Sequence, residues 1–411
     1  MDKISEKGIQ TNKSFWNFIK PFMTNKGMIA SNNITLIEGK NVITDEYKIS
    51  QTFNKHYINI VEKSCGKKPN KIGTTLGSLN DSEVIDRIIK SYQNHPSVLK
   101  INNKFGSDFI SFDFQQVKPP EVKRLLKEID IKKAVGIDTI PSKLIKIGAD
   151  IIAEPLTKAI NCCLRQGIFP DNAKIASVVP VDKGKPDKYD VLSYRPVSIL
   201  NVFSKIYEKV IKNQLMSYFE KYFSPFISAY RKGYSTQHVL IRLLEEWREK
   251  LDKNFVVGAV LMDLSKAFDC IPHDLIIAKL AAYGIERKTL RLIYSYLKGW
   301  KQCVKINNTY SDCNEIISGV PQGSILGPIL FNFSINDLFF FIEVASMHNF
   351  ADDNTLSAWG ETVSKLIETL ESESNIAIDW FTKNEMIINP DKFQAIILDK
   401  KKSNLTNIPL T

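Results

Sequence analysis

Two acidic positions carry the strongest chemical promise in this chain. Asp263 follows the apolar run 255–262, and Asp352 and Asp353 stand together between the segments 345–351 and 355–359. The first context reads as the end of a buried strand and the second as the tip of a tight hairpin. Carboxylates at such places are exposed yet rigidly held. If the two elements lie side by side, Asp263 and Asp352 converge with Asp353 adjacent, and converging carboxylates can hold two Mg²⁺ ions about 3.5–4 Å apart. Mg²⁺ takes oxygen ligands and leaves room for waters and substrate phosphates. One ion can then activate a hydroxyl while the other neutralises a triphosphate. Taken alone, Asp-Asp-Asn at 352–354 is also ordinary turn chemistry.

A set of motifs in fixed order sharpens this reading. Leu261-Met262-Asp263-Leu264-Ser265-Lys266-Ala267-Phe268-Asp269 resembles the first catalytic motif of reverse transcriptases, and Phe350-Ala351-Asp352-Asp353 resembles their aromatic-x-Asp-Asp box. Between them, Ser318-Gly319-Val320-Pro321-Gln322-Gly323-Ser324 resembles the Pro-Gln-Gly motif. Upstream, 193–198 (SYRPVS) and 136–141 (GIDTIP) resemble motifs of non-LTR enzymes, the second shared with group II intron enzymes and absent from retroviral ones. Downstream, 388–392 (INPDK) resembles the motif that carries a lysine near the leaving group. Each motif is weak singly. Their order over about 120–400 is specific, and the whole is similar to a jockey-like non-LTR retrotransposon reverse transcriptase. Phe350, where many polymerases have Tyr, fits that branch.

The resemblance implies an RNA-directed DNA polymerase with Asp263, Asp352 and Asp353 as metal-holding catalytic residues. The cofactor would be two Mg²⁺, with Mn²⁺ as an alternative. RNA template, DNA primer and dNTP would be the partners, with no membrane. Phe268 would pack under the incoming sugar and exclude a 2′-hydroxyl, although it could equally be a core aromatic. Gly319 and Gly323 would let the backbone approach nucleotide and template, with Gln322 facing them. Arg195 offers a planar fork for phosphate oxygens, and Lys183 is a second candidate in a loop that also reads as solvated. Lys392 could donate a proton to pyrophosphate or be an ordinary exposed lysine. Asp269 is expected to hold backbone or water, and His273 to be structural or an exposed turn residue. The stretch 230–236 mixes Tyr230, Arg231 and Lys232 in a manner suited to a template path, or forms a loop capped by Ser235.

The elements that must position these residues form an α+β pattern. The spacing predicts helices at 119–130, at 149–166 ending on Gly167, and at 202–223, 236–252, 274–283, 286–298 and 361–383. A further helix should start after Pro141, and another at about 324. Strands are predicted at 175–181, 255–262 and 395–398, with a hairpin over 345–359. By resemblance these make right-hand polymerase fingers and palm, the palm of mixed helix and sheet, over 116–411. Residues 1–115 read as a basic, mainly helical N-terminal extension, with amphipathic patterns around 15–22 and 45–65 and a linker at 66–81. The sequence ends soon after Leu398, so the family's thumb is expected to be missing, as is its upstream endonuclease. A binding-only remnant of such an element, or a maturase-like splicing factor, are the competing readings.

The bulk properties agree. Of 411 residues, 55 are Lys or Arg and 45 Asp or Glu, a net of +10. Residues 1–150 hold 24 basic and 16 acidic side chains, so most of the surplus lies there, as suits a polyanionic partner. Six cysteines include no C-x-x-C pair, which argues for reduced thiols and against a zinc site. The polar N-terminus starts no signal peptide, and the most apolar stretch, 328–345, is broken by Asn332, Asn336, Asp337 and Glu343. An intracellular, nuclear and cytoplasmic location follows.

Overall fold

A computed structural model describes residues 34–59, 81–106, 110–316 and 318–400. The amphipathic pattern around 15–22, the linker at 66–80 and Cys65 lie outside these residues.

The fold is α+β and is organised around one strand. β5 (Val256–Ser265) is buried along most of its length. It pairs antiparallel with β10 (Asp353–Gly360) on one edge, and β10 continues to β9 (Ser346–Phe350). On its other edge β11 (Ile387–Ile388) and β12 (Gln394–Leu398) follow each other along its length. The run of Val, Ala, Leu and Met in β5 suits a strand covered on both faces. The strand extends past the expected end at 262 and carries Asp263 inside its hydrogen-bonded ladder. Helix α12 (Val363–Lys383) packs on β5 and β10. Helix α8 (Thr236–Asp252) packs on β5 and β9, and its Trp247 indole N–H donates to Ser357 Oγ at 3.0 Å.

A second sheet has the order β4-β3-β6-β7, with β8 (Asn314–Glu315) also on β6. β3 (Ile175–Asp182) and β4 (Tyr194–Leu200) form an antiparallel pair, and β3 runs parallel to β6 (Lys301–Ile306), which turns into β7 (Thr309–Tyr310). Strands β4 and β6 were not anticipated. β4 contains Pro196, normally a mark against a strand, but one tolerated at a sheet edge. Helix α7 (Val202–Phe219) follows β4, with Asn201 accepting the Ser204 N–H as its N-cap, and ends before the expected 223.

Several elements belong to the segment before 116. β1 (Leu36–Glu38) and β2 (Asn41–Ile43) form a hairpin. Helix α1 (Glu46–Ile58), capped by Asp45, lies on β6, where Asn54 bonds the Asp312 carbonyl, Asn314 and Gln302. Helices α2 (Asp81–Ser91) and α3 (Pro96–Phe105), unforeseen in the sequence, pack on α9 (His273–Ala282), and α2 also on α10 (Arg287–Leu297). Short helices α4 (Pro119–Lys127) and α5 (Ser142–Ile147) lead to α6 (Ala149–Gln166), which keeps the expected boundaries. No helix among the described residues is long and apolar enough to cross a membrane.

The helical layer is pinned by a buried ion pair. Lys279 of α9 donates to Asp337 Oδ1 at 2.6 Å and to the Ser334 carbonyl at 2.7 Å, and its ammonium lies 4.6 Å from the Trp380 ring centre. Trp380 of α12 donates its indole N–H to the other Asp337 oxygen at 2.7 Å. Ser334 belongs to helix α11 (Gly327–Ile335), so four chain segments meet at one charge pair. Breaking such a pair leaves an uncompensated charge in the core, whereas replacing both partners does not. Lys279→Met is therefore expected to cost about 3–5 kcal/mol in urea unfolding, and the double change with Asp337→Leu clearly less than the sum of the two single changes.

Candidate active site

The register of β5 against β10 sets Asp353 directly opposite Asp263. Directly opposed residues share a face of the sheet with Cβ atoms about 4.5–5.5 Å apart, and like charges there are destabilising. Asp352 occupies the turn before β10, where Ala351 takes a left-handed φ of 60°. Buried Asn349 and Asn354 brace this turn. Asn349 donates to the Ala351 carbonyl at 2.6 Å and to Asn354 Oδ1 at 3.0 Å, and Asn354 donates to the Asp352 carbonyl at 3.1 Å. The three acids thus come together, with Asp353 and not Asp352 as the cross-strand partner of Asp263. Burial, then the charges of Asp352 and Asp263, push the Asp353 carboxyl above its usual range.

Lys392 stands next to this cluster. The short strand β11 pairs with Leu264 and Ser265, and the turn after it brings the Lys392 ammonium to 2.7 Å from Asp263 Oδ2. Lys392 is therefore a largely exposed lysine that is ion-paired with a site carboxylate, a contact neither of its two expected readings included. Among the described residues no group of three or more His, Cys, Asp or Glu side chains is arranged to hold a metal ion by itself. The donor set still suits a hard divalent cation. It offers only carboxylate oxygens, mutually repelling and partly open to solvent, and Mg²⁺ commonly takes one or two carboxylates and completes its shell from water and phosphate.

A cleft of about 350 Å³ adjoins Asp352 and is lined by Arg195, Tyr230, Lys266, Phe268, Gln322 and Gly323, among others. Phe268 packs against Phe331, ring centres 5.0 Å apart, and meets the Tyr230 edge at 6.1 Å. It packs on the core and also lines the cleft. Arg195 is exposed on edge strand β4. Lys183 donates to the Leu192 carbonyl at 2.9 Å and is not among the cleft-lining residues. Burial and the nearby charges of Lys185, Lys266 and Arg195 lower its pKa, which marks a cationic neighbourhood. Lys266, three residues past Asp263 with a left-handed φ of 54°, was overlooked as a cleft residue. A bulky residue held in that conformation is the signal that could have found it, and it shows only in the backbone.

The Pro-Gln-Gly loop is anchored on every side, and here two expectations need correction. Gln322 does not simply face the cleft: its amide donates to both Asp269 oxygens at 2.9 Å. Its own carbonyl accepts the Ser198 N–H at 2.8 Å, tying the loop to β4. The glycines serve the protein's own backbone. A Cβ on Gly323, at φ 133°, would stand 2.3 Å from the Ser198 carbonyl oxygen, and one on Gly319, at φ 70°, 2.5 Å from the carbonyls of Phe268 and Asp269. His273, read as structural or exposed, has a ring nitrogen 2.7 Å from the Gly319 carbonyl and so has the structural role. In the stretch 230–236, Arg231 is buried and bonds Glu220 and the carbonyls of Ser224 and Ile227, and Ser235 and His238 form a capping box. Of that stretch only Tyr230 reaches the cleft.

Asp269, expected to hold backbone or water, instead accepts the Gln322 side-chain amide with both carboxylate oxygens. Burial pushes its carboxyl up to about 6, against the opposing effects of Gln322, Lys266 and Lys183. An acid whose folded pKa is raised binds its proton more tightly in the native state, so its contribution is most favourable at low pH and is lost as pH rises from about 4 through 6. Relative to Asp269→Asn, the intact chain is expected to lose stability by up to about 2 kcal/mol over that window in unfolding titrations.

Comparison with known proteins agrees with this arrangement. The chain is 26% identical over 409 residues to the "RNA-directed DNA polymerase from mobile element jockey" of Drosophila melanogaster, covering 95% of this chain and 43% of that protein. It is 30% identical over 238 residues to the "Probable RNA-directed DNA polymerase from transposon BS" of the same species, covering 56% and 25%. The jockey polymerase of Drosophila funebris is 28% identical over 281 residues, covering 66% and 31%. The chain thus spans less than half the length of these curated relatives. The family model described as "Reverse transcriptase (RNA-dependent DNA polymerase)" matches residues 183–406, a stretch that holds Asp263, the Pro-Gln-Gly loop, Asp352-Asp353 and Lys392. With that match over more than half its length, and with jockey-type relatives along nearly all of it, the chain belongs to the reverse transcriptase family, in its jockey-like non-LTR branch.

Proposed function

We propose that the chain is the polymerase core of an RNA-directed DNA polymerase, transferring a nucleotide from a dNTP to a primer 3′-hydroxyl on an RNA template. The observation that carries this is the β5–β10 register, which sets Asp263 against Asp353 beside a cleft shared by Asp352, Arg195, Phe268 and Gln322. In this reading the sheet around β5 is the palm, the sheet around β3 belongs to the fingers, and residues 116–411 form the reverse transcriptase domain behind a basic extension at 1–115. Asp263, Asp352 and Asp353 would hold two Mg²⁺, or Mn²⁺, which would supply an activated hydroxyl and a neutralised triphosphate.

The chain's own residues do the rest. Arg195, with Lys266 and Lys183 near it, draws the triphosphate by charge and, for Arg195, by a planar hydrogen-bonding fork. Phe268, wedged between Tyr230 and Phe331, walls the sugar side of the cleft and leaves no room for a 2′-hydroxyl. Gln322 and Gly323 border the incoming nucleotide while staying tied to Asp269 and Ser198. Lys392, which pairs with Asp263, is the group placed to protonate pyrophosphate as it leaves. The basic surplus of 1–150 attracts template–primer through its phosphates.

Primer extension on an RNA template with Mg²⁺ or Mn²⁺ tests this. Asp263→Asn is expected to lower kcat by about 10³-fold or more, the effect of several kcal/mol of lost charge stabilisation. Binding of primed template should stay near that of the unaltered chain and weaken steeply with salt. Extension unaffected by Asp263→Asn would reject the assignment, and salt-sensitive binding without extension in either chain would favour a binding-only protein. In the active chain, Phe268→Ala is expected to narrow the preference for dNTP over rNTP by about tenfold or more, the scale of one lost steric contact; unchanged discrimination would remove Phe268 from the gate.

A further inference from the structure

One fully buried acid stands outside the chemistry described so far. Glu208, in the middle of α7, is 0% exposed. Its Oε2 accepts the backbone N–H of Ile325 at 2.5 Å and of Leu326 at 3.0 Å, and the Tyr296 hydroxyl lies 3.4 Å from the same oxygen. Its Oε1 is 3.3 Å from Ser204 Oγ. Ile325 and Leu326 are the last residues before α11, and their N–H groups belong to the set that a helix start leaves without an internal partner. Ser324 caps the next position, taking the Gly327 N–H at 3.1 Å. A carboxylate from a distant helix thus completes the cap of the helix that the Pro-Gln-Gly loop opens.

The loop has other ties: the Gly319 N–H donates to the Ile271 carbonyl and the Val320 N–H to the Phe268 carbonyl, the Gln322 side chain binds Asp269, and the Gln322 backbone carbonyl accepts from Ser198. Those hold its entry and its middle. Its exit, at 325–326, is held by Glu208. Burying an acid is costly, and burial pushes this carboxyl up to about 7 despite the four donors around it. An apolar residue at 208 would spare that cost in a helix whose other buried residues are mostly apolar. The acid is retained where two loop amides need an acceptor.

We propose that Glu208 is a positioning residue for nucleotide binding: by fixing the exit of the loop 318–326 it sets where Gln322 and Gly323 stand in the cleft. This rests on the polymerase reading for its functional consequence, but the anchoring itself does not. A residue that merely filled the core would, on replacement, lower the amount of active protein. A positioning residue changes how well dNTP is held by the protein that remains folded, which appears as KM moving apart from kcat.

The test compares the full chain with Glu208→Gln and Glu208→Leu. The Gln carbonyl oxygen, in the place of Oε2, can accept both N–H groups and the Tyr296 hydroxyl, and its amide can donate to Ser204. Leu fills the space and accepts nothing. Hydrogen exchange at the Ile325 and Leu326 amides reads the anchor directly. Exchange is expected to rise about tenfold or more in Glu208→Leu and to stay within about threefold of the parent in Glu208→Gln, the difference one or two lost hydrogen bonds make. Primer extension reads the consequence: KM for dNTP is expected to rise about tenfold in Glu208→Leu, with kcat less affected and full rescue in Glu208→Gln.

If Glu208→Leu does not fold, Glu208→Asp, one methylene shorter with the charge kept, takes its place. It is expected to behave like Leu in both readouts, so that an uncharged Gln outperforms a charged Asp. Unaltered exchange at 325–326 overturns the anchor while leaving the polymerase reading intact. Faster exchange with an unmoved dNTP KM overturns the positioning role. No extension by the parent chain fails the polymerase reading, and the positioning role with it, whatever the exchange shows.

Discussion

Everything at the site follows from which residue of β5 meets which residue of β10. Strand side chains alternate with a period of two, so a slip of one position would send every side chain of one partner to the opposite face. The observed register sets Asp353 against Asp263 and, five residues along the same pair, Ala358 against Gly258. At the first point two carboxylates repel each other; at the far end apolar strand packs beneath α12. The buried end fixes the register, and the fixed register holds the unfavourable acidic end in place. An isolated hairpin would relieve the repulsion by slipping or fraying; this sheet cannot, because β11 and β12 clamp the other edge of β5 over the same length.

The interior deals with charge in two ways. Lys279 and Asp337 neutralise each other and bond two further groups, the Ser334 carbonyl and the Trp380 indole, a closed arrangement that links helices. Glu208 and Asp269 instead face neutral donors on the Pro-Gln-Gly loop, Glu208 its backbone and Asp269 its Gln322 side chain. Both acids have pKa values lifted towards neutrality by burial. The loop is therefore suspended between two poorly solvated carboxylates, which favours one geometry more strictly than apolar packing would, since hydrogen bonds are directional and van der Waals contacts are not.

Much of this was legible in the sequence, for identifiable reasons. The boundaries of α6 and α8 could be read because each carries its own punctuation, Gly148 and Gly167 around the first and Ser235 before the second. The convergence of Asp263 with Asp352-Asp353 could be read because strand and hairpin are short-range patterns. What could not be read was pairing. β4 contains a proline, and β6 is a short strand whose parallel partner β3 ends more than a hundred residues earlier, so nothing local announces it. Asp353, not Asp352, as the opposed residue is likewise a matter of register, which one strand's sequence does not contain. The partners that Gln322, Gly319 and Gly323 find within the protein were hidden for a similar reason: a motif shows that a backbone must come close to something, not that the something includes Ser198 or Phe268.

The seat of α1 has a consequence for how the chain is made. Asn54 bonds the carbonyl of Asp312, 258 residues later, and the buried side of the helix, with Ile49, Phe53 and Tyr57, leans on a sheet that exists only once β6 has been translated. At roughly 5–20 residues per second, a ribosome takes on the order of 15–50 s to travel between the two. During that interval α1 has been synthesised but has nowhere to go, and its apolar face is open to any other apolar surface. The docking of α1 therefore comes late, and strands from the second half of the chain complete its seat.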